Sequence, residues 1–153
     1  MLHLHANEHA LVLLLRPGTP FALSQETRWH AMEKNILVVD DNKDLRQIFA
    51  LIVRFSGYQI SEAGSGSEAI EKAVFAKPSL ILLDLGLPDM TGIDAARAIK
   101  KNRVTADIPI IACSAYSRGE KMEEALRAGI VDYLQKPIAA ALIKAKIEEF
   151  ILP

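Results

Sequence analysis

Leu80-Ile81-Leu82-Leu83-Asp84-Leu85-Gly86-Leu87-Pro88-Asp89 is the stretch on which the rest of the chain depends. Four apolar residues run into one aspartate, and a turn-rich segment follows at once. A short unbroken apolar run bounded by turn residues fits a strand buried on both faces, as in the middle of a parallel sheet. A carboxylate at the carboxyl end of such a strand stands where open α/β sheets bind ligands. Asp84 is therefore the first candidate functional residue.

Outward from it, the same pattern repeats. Upstream, Ile36-Leu37-Val38-Val39 is a second buried strand, ending in Asp40-Asp41-Asn42. Leu45, Ile48, Phe49, Ile52 and Phe55 recur at helical spacing and predict one apolar face. Gly57 suits the end of that helix. Tyr58 to Ala63 is a less apolar strand, expected near an edge. Ser65 with Glu68 has capping-box spacing for a helix that turns Ile70, Ala73 and Val74 inward. Downstream, Thr91 with Asp94 opens a helix to about Lys101. Ile108 to Cys113 is a fourth strand, ending at Ser114. Ser117 with Glu120 repeats the capping-box spacing, and that helix stops at Gly129. Val131 to Gln135 is a fifth strand, ending at Lys136-Pro137. Ile138, Leu142, Ile143, Ile147 and Ile151 stripe the last helix. Strand and helix thus alternate five times, which implies a parallel sheet with helices on both faces.

Composition sets the outer bounds. The 153 residues are 50% apolar and 24% charged, with a formal net charge of −1 and no long basic run. A nucleic-acid or anionic-membrane partner is not expected. Cys113, the only cysteine, excludes an internal disulfide and fits a reducing compartment. The apolar run Ala10 to Leu15 falls well short of the roughly 20 residues a membrane span needs. The first ten residues lack the basic start of a signal peptide. A cytoplasmic protein is expected.

Residues 1–31 differ from the rest. They hold all four histidines (His3, His5, His9, His30) and the only tryptophan, Trp29, with Pro17, Gly18 and Pro20 between. No helix or strand period is sustained there. The reading is a disordered N-terminal extension or an over-long gene start, with one domain over residues 32–153. Histidines with no acidic or thiol partner at fixed spacing rarely make a defined metal site.

In a parallel sheet all carboxyl ends lie on one edge. Asp40 and Asp41 follow strand one, Asp84 ends strand three, Ser114 follows strand four and Lys136 follows strand five. Converging carboxylates raise each other's pKa unless a cation neutralises them. Mg2+ (or Mn2+) with oxygen ligands answers that need. Asp41 and Asp84 are the expected direct ligands, with Asp40 acting through water and the Gly86 backbone carbonyl adding an oxygen. Lys136 supplies a point charge, expected to pair with Asp84 at rest. Ser114 offers a hydroxyl. Cation, ammonium and hydroxyl together suit the three equatorial oxygens of a transferring phosphoryl group, with Asp84 as nucleophile.

The segment from Met32 onward resembles the receiver domains of two-component response regulators, of the stand-alone type. The matching residues are Ile36-Leu37-Val38-Val39-Asp40-Asp41-Asn42, Leu82-Leu83-Asp84-Leu85-Gly86-Leu87-Pro88, Cys113-Ser114-Ala115 and Ala128-Gly129-Ile130-Val131-Asp132-Tyr133-Leu134-Gln135-Lys136-Pro137. The resemblance implies a five-stranded doubly wound α/β sheet of order 2-1-3-4-5. It implies Mg2+-dependent phosphoryl transfer to Asp84 from a phosphohistidine on a sensor histidine kinase or histidine phosphotransfer protein. It also implies a cis Lys136–Pro137 bond, and a switch in which Tyr133 turns inward behind the Ser114 hydroxyl. Output is expected through a downstream protein partner on the 118–153 face, from a monomer or weak dimer. The only catalysis expected is of the domain's own aspartyl phosphorylation and dephosphorylation.

Three other readings compete. A phosphorylation-independent interaction module would have no need of the full acidic set. A dehalogenase-type phosphatase usually carries a second aspartate two residues past its nucleophile, where this chain has Gly86. A flavodoxin-type phosphate site would be repelled by Asp40-Asp41.

Overall fold

A computed structural model describes residues 33–152. The N-terminal extension read over residues 1–31, with its histidines, lies outside the described residues. The order is β1 (Asn35–Val39), α1 (Lys43–Phe55), β2 (Gln59–Ala63), α2 (Gly66–Ala76), β3 (Leu80–Leu83), α3 (Gly92–Lys101), β4 (Ile110–Ser114), α4 (Arg118–Arg127), β5 (Asp132–Gln135) and α5 (Ala140–Ile151). The five strands pair in parallel in the order β2-β1-β3-β4-β5. Among the described residues no helix is long and apolar enough to cross a membrane.

Every residue of β3 is buried, as a continuous apolar run in a central parallel strand requires. Side chains alternate between two cores. Leu37, Val39, Ile81, Leu83, Ile110 and Ala112 face α2, α3 and α4. Ile36, Val38, Leu80, Leu82, Ile111 and Cys113 face α1 and α5. The less apolar β2 lies at an edge, as expected.

Some helix faces differ from the sequence reading. In α1 the buried residues are Phe49, Ala50 and Val53, whereas Ile48 and Phe55 are exposed. At 3.6 residues per turn, Phe49 and Val53 share a side, and Ile48 and Phe55 fall roughly a third of a turn away. In α2, Ala69 and Ala73 are buried and Val74 is exposed. In α5, Ile143 and Ile147 are buried and Leu142 is exposed. Small alanines carry faces that a search for large apolar residues assigns to their neighbours.

The helix starts also sort themselves. Asn42 caps α1, its side chain accepting from the Asp44 and Leu45 amides. Ser65 and Thr91 cap α2 and α3. Ser117 makes no side-chain cap bond, so the expected capping box of α4 is not formed. Gly57 and Gly129 close α1 and α4 with φ of 91° and 90°.

Candidate functional site

Register brings the strand ends together. Val39 of β1 stands opposite Leu83 of β3, so Asp40 and Asp84 leave the sheet side by side. The Asp84 amide donates to the Val39 carbonyl at 2.9 Å, and the Asp40 amide to the Ala63 carbonyl at 3.1 Å. The Lys136 amide donates to the Ser114 carbonyl at 2.8 Å, which sets β5's end against β4's. The Lys136–Pro137 bond that follows is cis.

Asp40, Asp41 and Asp84 each present a carboxylate oxygen within 4.8 Å of the others. Asp40 is 3% exposed and Asp84 9%, while Asp41 opens to solvent. An Asp-Asp pair before a helix can serve merely as its cap. Here Asn42 takes that task, and the Asp40 carboxylate instead accepts from the Asn42 amide at 2.9 Å. Both aspartates are thereby free to face β3.

Lys136 Nζ lies 2.6 Å from Asp40 Oδ2 and 3.6 Å from Asp84 Oδ2. The expected ion pair with Asp84 is present, and Asp40 is a second and closer partner. Burial pulls the Lys136 ammonium toward neutrality, but the Asp40 hydrogen bond and the Asp84 and Asp40 charges outweigh it, and its pKa is raised. Burial raises the Asp84 carboxyl too, against the Gly86 amide and the Lys136 charge, with Asp40 and Asp41 adding to the rise. Three carboxylates against one ammonium leave a formal charge of −2. Hard oxygen donors with that residual charge, one of them open to solvent, fit a divalent cation.

Ser114 is 1% exposed, and its Oγ accepts from the Tyr116 amide at 3.2 Å, which leaves its own proton to donate. Tyr133 is 2% exposed, and its hydroxyl donates to the Tyr116 carbonyl at 2.9 Å. The inward position expected of Tyr133 after phosphorylation is therefore already present here. Tyr116 links the two, its amide on Ser114 and its carbonyl on Tyr133.

Two supporting residues escaped sequence reasoning. Arg46 donates to the Asp40 carbonyl at 2.7 Å and pairs with Glu62 at 3.3 Å, tying α1, β1 and β2 together behind the site. Its position four past Asn42 carries no distinguishing signal. Gly92 approaches the backbone of β3's end: a Cβ there would lie 2.2 Å from the Asp84 carbonyl oxygen and 2.6 Å from Leu85 Cα. Only a glycine lets α3 start so close to the backbone of Asp84.

Known proteins share this frame. A family model described as the response regulator receiver domain matches residues 36–148. The chain is 36% identical over 115 residues to the phosphate regulon transcriptional regulatory protein PhoB of Pseudomonas aeruginosa, covering 75% of this chain and 50% of that protein. It is 37% identical over 107 residues to the chemotaxis protein CheY of Thermotoga maritima, covering 69% and 88%. It thus spans about half the length of PhoB and most of CheY. The receiver domain of a Pseudomonas aeruginosa sensor histidine kinase, solved with a magnesium ion in its active-site cleft, superposes with a TM-score of 0.72. That pair shares 30% identity over 77% of this chain and 97% of the other. The matched span runs from the second residue of β1 into the last turn of α5. It takes in every element that builds the acidic edge, and the chain belongs to the response regulator receiver domain family.

Proposed function

We propose that the chain is a phosphoacceptor of two-component signalling that receives a phosphoryl group on Asp84. The donor is a phosphohistidine on a sensor histidine kinase or histidine phosphotransfer protein. The observation that carries this reading is the gathering of Asp40, Asp41, Asp84 and Lys136 at one sheet edge. An Asp84 oxygen attacks phosphorus in line, the P–N bond breaks, and the imidazole leaves with the bonding pair. Water later cleaves the acyl phosphate and restores the carboxylate. The domain assists only this gain and loss of its own phosphoryl group.

Asp41, Asp84 and the Gly86 carbonyl would hold Mg2+ (or Mn2+) directly, with Asp40 acting through water. When bound, the cation neutralises the carboxylates and the incoming phosphoryl oxygens. Lys136 holds Asp40 in place and reaches a phosphoryl oxygen, and Ser114 donates its hydroxyl proton to another. Tyr116, bonded to both Ser114 and Tyr133, carries the movement of Ser114 to the α4–β5–α5 face, the surface for a downstream protein partner.

Intact mass after incubation with a small phosphodonor tests this. Wild type with Mg2+ gains one phosphoryl increment, and neither Asp84→Asn nor wild type without the cation does. No increment in folded wild type would leave a phosphorylation-independent interaction module.

A further inference from the structure

The β3–α3 loop, Leu85–Thr91, carries Gly86 beside Asp84, and two different devices hold it. Its base is closed locally: Gly86 and Thr91 form an antiparallel bridge, and the Gly92 amide donates to the Leu85 carbonyl at 2.9 Å. Its tip is held by another element. The Asp89 carboxylate accepts from the Gly66 amide at 2.8 Å, the Ser67 amide at 2.9 Å and the Ser67 hydroxyl at 2.7 Å. Those amides belong to the first turn of α2. Ser65 Oγ takes the next one, from Glu68, at 3.2 Å, so the amides at the start of α2 are satisfied partly from within and partly by Asp89.

A residue within α2's own approach would serve the helix equally well. Here the acceptor comes from 22 and 23 residues away, so the contact ties the loop as much as the helix. Met90 follows it in: a Cβ on Gly66 would fall 2.4 Å from Met90 Cγ. At the other end of this short loop the Gly86 amide donates to Asp84 Oδ1 at 3.2 Å. Gly86 has no side chain with which to anchor itself, and its place follows from the loop's two ends.

We infer that Asp89 is a positioning residue for the acidic site. By pinning the tip of the β3–α3 loop to the N-terminus of α2, it holds Gly86 and the Asp84 carboxylate in the arrangement that receives the cation. This rests on the proposed roles of Asp84 and Gly86.

The test is calorimetric titration of the full chain with MgCl2, together with amide hydrogen exchange over residues 85–91. The chains are wild type, Asp89→Asn, Ser67→Ala, Asp41→Asn and Asp84→Asn. Asp89→Asn keeps the side-chain shape but turns an amide toward the donors. It is expected to weaken Mg2+ binding by about tenfold, the scale of lost support behind a metal ligand. It should also speed exchange at Gly86. Ser67→Ala is expected to show a smaller loss in the same direction. Wild-type Mg2+ affinity in both variants, with only a lowered melting temperature, would make Asp89 a helix cap and overturn the inference. Should Asp89→Asn fail to fold, unchanged affinity in Ser67→Ala overturns it alone. If Asp41→Asn and Asp84→Asn bind Mg2+ as tightly as wild type, the cation reading itself fails, and the positioning role with it.

Discussion

Lys136 sits nearer Asp40 than Asp84, and burial accounts for the choice. The Asp40 side chain is 4% exposed against 12% for Asp84, so it has the greater need of a charge partner. The Asp84 carboxylate, the proposed phosphoacceptor, is left with the longer contact to the lysine. Ser114 is poised differently: its hydroxyl oxygen is engaged by the Tyr116 amide while its proton is free to move toward a phosphoryl oxygen. Ser114→Ala is expected to take up phosphate on Asp84 as wild type does, yet gain little partner affinity from it. Equal partner binding by the two phosphorylated proteins would refute that coupling. Asp89 gives a pH signature. The Ser67 hydroxyl, then the Ser67 and Gly66 amides, hold its carboxyl well below the ordinary 3.8. The unfolded chain therefore takes up this proton first as pH falls. The contribution is whole above about pH 4 and is lost as pH drops further toward the native value. Urea midpoints should show wild type's advantage over Asp89→Asn shrinking as the medium is acidified below about pH 4. An advantage independent of pH would exclude the carboxylate as its source.

Among the elements, the strands were legible and the helix faces less so. An apolar run with a turn on each side admits few structures, and β1, β3, β4 and β5 stand within two residues of where the sequence places them. The helices bury Ala73, as read, but also Ala50, Ala69, Ala95 and Ala96, residues too small to register as a stripe, and expose Ile48, Phe55 and Val74. Cap spacing proved an incomplete guide. Ser65 and Ser117 have the same spacing to a following glutamate, but only Ser65 makes the bond. Ser65→Ala should cost about 1 kcal/mol of unfolding free energy, and Ser117→Ala only a few tenths. Denaturant titrations of the two variants compare them directly, and equal losses would refute the assignment.

Across the whole molecule, the site was readable because topology did the gathering. Once five parallel strands were inferred, every residue at a carboxyl end was bound for one edge, however far apart in sequence. The pairing of Lys136 with Asp84 was readable, but the closer contact with Asp40 was not, since it depends on side-chain distances that differ by about an ångström. The same geometry links ligand to stability. A cation that binds only the folded acidic cluster should stabilise the chain by about 2.7 kcal/mol at a hundredfold excess over its Kd. Chelation should remove that gain, and Asp41→Asn should lack it. Thermal melts with and without Mg2+ measure both, and an equal gain in Asp41→Asn would place the ion elsewhere.

The contact between Lys136 and Asp40 joins positions 96 residues apart. During synthesis β1, β2 and β3 leave the ribosome long before the lysine does. A nascent chain halted anywhere short of it carries the clustered acids with no ammonium among them. That one positive charge reaches the cluster only when β5 adds to the far edge of the sheet, so the acids stand at their full repulsion until then.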